Sequence, residues 1–123
     1  MARDPIRVAC EHEAAHALAA WARGVHVARI VVHSNGSGSV TRKRTTPPTD
    51  AIISCAGDLW DREFSSAEYR DGACADLAYQ VERVGVTGIW QARRTARQIL
   101  SDHRRDVLNL GAQLYREREL MFA

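Results

Sequence analysis

Near its N-terminus the chain reads Cys10-Glu11-His12-Glu13-Ala14-Ala15-His16-Ala17, two imidazoles four positions apart with a carboxylate between them. On a helix this spacing projects both rings from adjacent turns of one face, where they can bind a single ion. Glu13 follows directly after His12, where it can take a proton from water and pass one to a leaving amine. Zinc makes such chemistry feasible near neutral pH, because coordination lowers the pKa of water to about 7. The pattern points to a zinc hydrolase site with His12 and His16 as ligands and Glu13 as general base. A chance match in a helix rich in Glu and Ala is the competing explanation.

The element that carries these residues has clear ends. Asp4-Pro5 reads as an N-cap followed by proline at the first helical position, and Gly24 as a stop, so a helix is expected from Pro5 to about Arg23. Projected at about 100° per residue, Ile6, Ala9, Cys10, Ala17, Ala20 and Trp21 fall on one side, with Arg7 and Glu11 opposite. His12, Glu13 and His16 lie on or beside the apolar side. Ionisable groups turned toward a core cost free energy unless they are hydrogen-bonded, paired or metal-bound.

After Gly24 the β-branched run "VHVARIVVH" predicts a strand, "SNGSG" a turn, and "SVTRKRT" a returning strand. "TTPPTD" interrupts the chain, and Thr49 or Asp50 is expected to cap a helix from Ala51 to about Phe64. Past the polar "SSAEYRDG", Asp71-Gly72 opens a helix to about Val84, which "GVTG" breaks. Ile89 to Leu100 starts a helical C-terminal region, and Ser101 is expected to cap a last helix through Val107, Leu110, Leu114 and Leu120. The fold class expected is mainly α (α+β), one domain over residues 1–123 with one small hairpin or sheet.

A hydrolytic zinc site takes a third protein ligand and keeps a fourth position open. His26 and His33 lie on the strand segment and read as surface imidazoles; His103, between Asp102 and Arg104, reads as solvent-facing. Of the carboxylates Asp58, Asp61, Glu63 and Asp76, Asp76 stands beside the apolar stripe early in its helix, where a cation is the natural partner. Asp61 and Glu63, at the end of the preceding helix, compete with it.

Composition bounds the alternatives. A hydrophobic fraction of 46% and a charged fraction of 26% are those of an ordinary globular protein. No apolar run approaches a membrane span, and "MARDPIRVACEHE" lacks the apolar core of a signal peptide, so the expectation is a cytoplasmic protein with no membrane partner. Cys10, Cys55 and Cys74 are widely spaced and expected to be reduced. A net charge of +2, with basic runs at Arg42-Lys43-Arg44 and around Arg93, Arg94 and Arg97 that no aromatics interleave, gives no nucleic-acid footprint.

The segment "HEAAHALAAWARGVHVARIVV" resembles the zinc helix and following strand of the protease domain of FtsH-type AAA proteases. In the same order, "AIISCAGDLWDREF" resembles that family's "L-x-G-x-x-A-E-E" helix, and "DGACADLAYQVERVG" its "T-G-A-x-N-D-L" segment. "ARQILSDHRRDVLNLGAQLYREREL" is similar to its C-terminal helices. The resemblance implies a helical peptidase domain with zinc as cofactor and a peptide or protein as substrate. It implies Asp76 as third ligand, and Asp61, at the first glutamate of A-E-E, as a group that orients a ligating histidine. By analogy with other zinc peptidases, the strand around Ser39, Val40 and Thr41 would pair with an extended substrate.

The chain departs from the family pattern at Ala15, which replaces a glycine, and at Cys74, a thiol that could compete for zinc. It contains no G-x-x-x-x-G-K-[ST] loop, so peptide hydrolysis by this chain would be ATP-independent. The alternative in another class is a non-cleaving regulatory or binding module that retains the fold. The sequence leaves the oligomeric state open.

Overall fold

The structure, a computed structural model, describes residues 4–65 and 74–123, and for 74–78 the backbone alone. Its elements run α1 (Pro5–Ala22), β1 (Val27–Val32), β2 (Gly38–Arg42), α2 (Pro47–Leu59), a π-helical turn (Trp60–Phe64), α3 (Cys74–Asp102), α4 (Arg104–Glu117) and β3 (Glu119–Met121). The fold is mainly α, with four helices and one small antiparallel sheet among the described residues.

α1 begins as its sequence dictates. The Asp4 carboxylate accepts from the backbone N–H of Ile6 at 2.8 Å, and Pro5 occupies the first turn, where a missing N–H costs nothing. The helix runs through the middle of the core. Ala14, Ala15, Ala17, Ala19 and Ala20 are all fully buried, and their small side chains let α2, α4 and β1 approach it from several sides. That burial on several sides corrects the reading of Glu11 as the outward face. Glu11 is only 4% exposed, and its carboxylate accepts from the indole N–H of Trp60 at 3.1 Å.

The hairpin forms as expected, with β1 and β2 antiparallel and Ile30 opposite Val40. The sheet order β2-β1-β3 puts β1 in the centre. The third strand was not expected. α4 stops at Arg118, which takes a left-handed conformation (φ 66°), and Leu120 then pairs opposite Ile30 instead of extending the helix. The last helix is capped at His103, not at Ser101.

Two other boundaries move. α2 starts at Pro47, not Ala51: both prolines fit within the first helical turn, where backbone N–H groups have no partner in the helix. The expected break at "GVTG" reduces to one kinked residue, Gly85 (φ 77°, ψ 171°), within α3. The expected start at Asp71-Gly72 lies outside the described residues. Among the described residues no helix is long and apolar enough to cross a membrane.

Candidate functional site

His12, Glu13 and His16 come together in the middle of α1, with ligand atoms all within 4.8 Å of one another. The tautomer of His16 follows from its partner. Its Nδ1 lies 2.6 Å from the carbonyl oxygen of Ile53 on α2, which can only accept, so the proton sits on Nδ1 and Nε2 carries a lone pair. His12 is held likewise, with Nδ1 2.7 Å from a carboxylate oxygen of Asp61 in the π-helical turn. Both remaining nitrogens therefore face each other, Nε2 to Nε2, at 3.1 Å.

This arrangement fits a metal ion. Two nitrogens each about 2.0–2.1 Å from a tetrahedral zinc would stand about 3.4 Å apart, near the separation found here. Each ring also has its other nitrogen fixed by an oxygen acceptor, the feature that orients and strengthens histidine ligands. Electrostatics agree. Burial holds the pKa of His16 down at about 3, reinforced by the nearby charge of His12, so this ring stays neutral and ready to ligate. Burial also pulls His12 down, but the hydrogen bond and charge of Asp61, with help from Glu13 and Asp58, outweigh it and leave its pKa raised. His12 is thus the ring that takes a second proton, and a metal ion held between the two rings would compete with that proton.

Glu13 is 7% exposed, and burial raises its carboxyl pKa against the opposing charge of His12. Two close backbone approaches leave room for these side chains. A Cβ on Gly57 of α2 would lie 2.5 Å from Nε2 of His16 and 2.6 Å from Nε2 of His12. One on Gly38, the first residue of β2, would lie 2.9 Å from both Cγ and Oε2 of Glu13. Neither glycine was singled out in the sequence for this reason. Gly57 does fall at the glycine of the "L-x-G-x-x-A-E-E" pattern that its helix resembles, whereas Gly38 has no such signal.

The π-helical turn carries both carboxylates of "DREF". Its first residue, Trp60, reaches Glu11, and the next, Asp61, reaches His12. Glu63 turns elsewhere, into a two-point ion pair with Arg97 of α3 at 2.8 and 3.0 Å. Asp58 pairs with Arg62 at 3.2 Å. His26 and His33 are exposed, and His103 pairs with Asp106, all as surface imidazoles. Asp76 and Cys74 lie in the first turn of α3, and their side chains are outside the described residues. Cys10 and Cys55 are free, buried thiols.

A cleft of about 340 Å³ opens beside Glu13 and His16, between β2 and the α2–α3 pair. β2 lies at the edge of the sheet, with no further strand beside it among the described residues. Its side chains alternate: Val40 and Arg42 line the cleft, whereas Ser39 and Thr41 are exposed.

A family model described as Peptidase M50B-like matches residues 6–60, short of half the chain. The matched stretch spans α1, the β1–β2 hairpin and α2, and so includes His12, Glu13, His16, Gly38 and Gly57. No curated protein matches the chain. The match supports a metallopeptidase relationship, the same class that the motifs resembling FtsH-type domains imply.

Proposed function

We propose that this chain is a zinc-dependent peptidase with an FtsH-type protease fold. The observation that carries the reading is the pair of Nε2 atoms 3.1 Å apart, each ring fixed through Nδ1, with Glu13 beside them in a cleft under an edge strand. His12 and His16 would hold the ion, and Asp61 and the Ile53 carbonyl would orient their rings. Asp76 is the proposed third ligand: it stands one helical turn before Tyr79 and Gln80, which line the cleft with Glu13 and His16. Bound zinc would polarise the scissile carbonyl and lower the pKa of water to about 7.

The rest of the chemistry belongs to the chain's own residues. The Glu13 carboxylate takes a proton from the attacking water and delivers it to the leaving amine. Its raised pKa favours holding that proton between the two steps. An extended substrate adds to the free edge of β2 through Ser39, Val40 and Thr41, which brings its backbone past Glu13 at the Gly38 end of the strand.

The test compares the purified protein with Glu13→Gln and His12→Ala. Zinc content of about one per chain is expected in the wild type and in Glu13→Gln, and is lost in His12→Ala. Cleavage of a peptide library should disappear in Glu13→Gln. Zinc without cleavage in the wild type would replace the enzyme by a non-cleaving binding module.

A further inference from the structure

β2 is an edge of the sheet, but not all of its backbone groups are free to bind a partner. In an antiparallel ladder each residue turns its N–H and C=O to one side, and the next residue turns them to the other. The central strand fixes that alternation here. The N–H of Val32 donates to the Arg118 carbonyl at 2.8 Å, and the Ala28 carbonyl accepts from Phe122 at 2.9 Å. Ala28, Ile30 and Val32 therefore face the β3 side, which leaves Arg29 and Val31 to bond Thr41 and Ser39 opposite them on β2. Bonds at both ends of the hairpin keep the same series. The N–H of His33 donates to the Ser37 carbonyl at 2.8 Å, and past the irregularity in β1 the N–H of Lys43 donates to the His26 carbonyl at 3.0 Å.

On β2 the backbone groups of Ser39 and Thr41 are thus taken by the ladder, whereas those of Gly38, Val40 and Arg42 point outward along the edge. The same three residues make the cleft face of the strand. Val40 and Arg42 line the cleft with Glu13 and His16, and Gly38 lies so close to Glu13 that a Cβ there would meet its Cγ and Oε2 at 2.9 Å. Ser39 and Thr41 are exposed. Gly38 and Arg42 are the two ends of β2, so Val40 is its middle residue.

We propose that Val40 is the positioning residue for the substrate, its backbone N–H and C=O holding an extended segment that has no proline at the residue it grips. The inference rests on the peptidase reading for the identity of that segment, and it narrows the contact with β2 to alternate residues. A strand laid beside β2, in either direction, turns every second N–H toward that edge. Proline or an N-methyl group at such a position removes the donor. The substrate class is an unfolded chain segment, because a helix or a paired strand already uses these N–H groups. The side chain level with Val40 shares its face and points to the cleft, while its neighbours lie on the exposed face of Ser39 and Thr41.

The probe is a fluorescein-labelled, proline-free peptide of about ten residues from the library, prepared with an N-methyl group at each residue in turn. Anisotropy titrations with the zinc-loaded wild-type chain are expected to show affinity losses of about tenfold at alternate residues, with little change between them. Val40→Pro should keep the zinc content and urea midpoint of the wild type, because its N–H makes no ladder bond, and weaken the unmodified peptide about tenfold, in KM and not in kcat. Val40→Thr keeps the N–H and should bind within about twofold of wild type. Losses at consecutive residues, a flat profile, no binding, or a folded Val40→Pro that binds as the wild type does would each overturn the proposal. The N-methyl profile decides alone if Val40→Pro does not fold. Alternating losses without cleavage keep the docking and remove the peptidase; cleavage with a flat profile does the reverse.

Discussion

At the two imidazoles the controlling variable is which nitrogen carries the proton. Ile53 settles it for His16 through a backbone carbonyl, a contact that no side-chain substitution removes directly. For His12 it depends on one carboxylate, Asp61, which fixes the ring and raises its basicity. Asp61→Asn is therefore expected to weaken zinc binding by about 10- to 100-fold, with little change in the fold. Chelator competition measures this. An affinity within twofold of wild type would mean that Asp61 does not orient the ligand.

Among the elements, α2 approaches α1 closely enough that Gly57 touches both rings. Gly57→Ala should push the helices apart or turn the imidazoles, abolishing zinc uptake and costing about 1–3 kcal/mol in stability. Metal content and urea unfolding of the purified variant check the two effects separately. On the other side of the cleft, Asp50 joins β2, α2 and α3 through Arg42 and Arg83. Burial raises its carboxyl pKa, but the hydrogen bonds from Arg42, Gln80 and Arg83 and the Arg42 charge prevail and lower it below the ordinary 3.8. A carboxyl whose folded pKa is depressed contributes stability that is present above its unfolded value and lost as pH falls through the folded one. Asp50→Asn should therefore cost roughly 1–3 kcal/mol at pH 7 and flatten the wild-type loss of stability below about pH 4, as read from urea midpoints across pH.

For the molecule as a whole, β3 closes the fold by bringing the C-terminus back to the central strand. Leu120 pairs opposite Ile30, the N–H of Phe122 donates to the Ala28 carbonyl at 2.9 Å, and Phe122 packs edge-on against Trp21 of α1. The hydroxyl of Tyr115 also donates to Asp4 at 2.6 Å, tying α4 to the start of α1. Leu120→Ala is expected to cost about 2–3 kcal/mol and leave zinc affinity within a fewfold of wild type, because β3 lies on the side of β1 away from β2 and the cleft. Chemical denaturation and metal titration test this; loss of zinc binding in a folded Leu120→Ala protein would contradict that separation.

Much of this was legible from local pattern. The capped start of α1, the β-branched hairpin and the four-residue histidine spacing are properties of neighbouring residues, and each appears where the sequence expects it. What the sequence could not decide depends on residues far apart in the chain. Glu11 reads as an outward residue until Trp60 supplies a buried donor, and Leu120 reads as the end of a helix until β1 offers an open edge. Asp61 and Glu63 sit two positions apart and compete when read from the residues alone, and only the resemblance to FtsH-type domains singles out Asp61 as the group that orients a histidine. On one helical turn the two point to opposite sides, and the structure supplies their partners, His12 for the first and Arg97 for the second, from other helices that the sequence does not place.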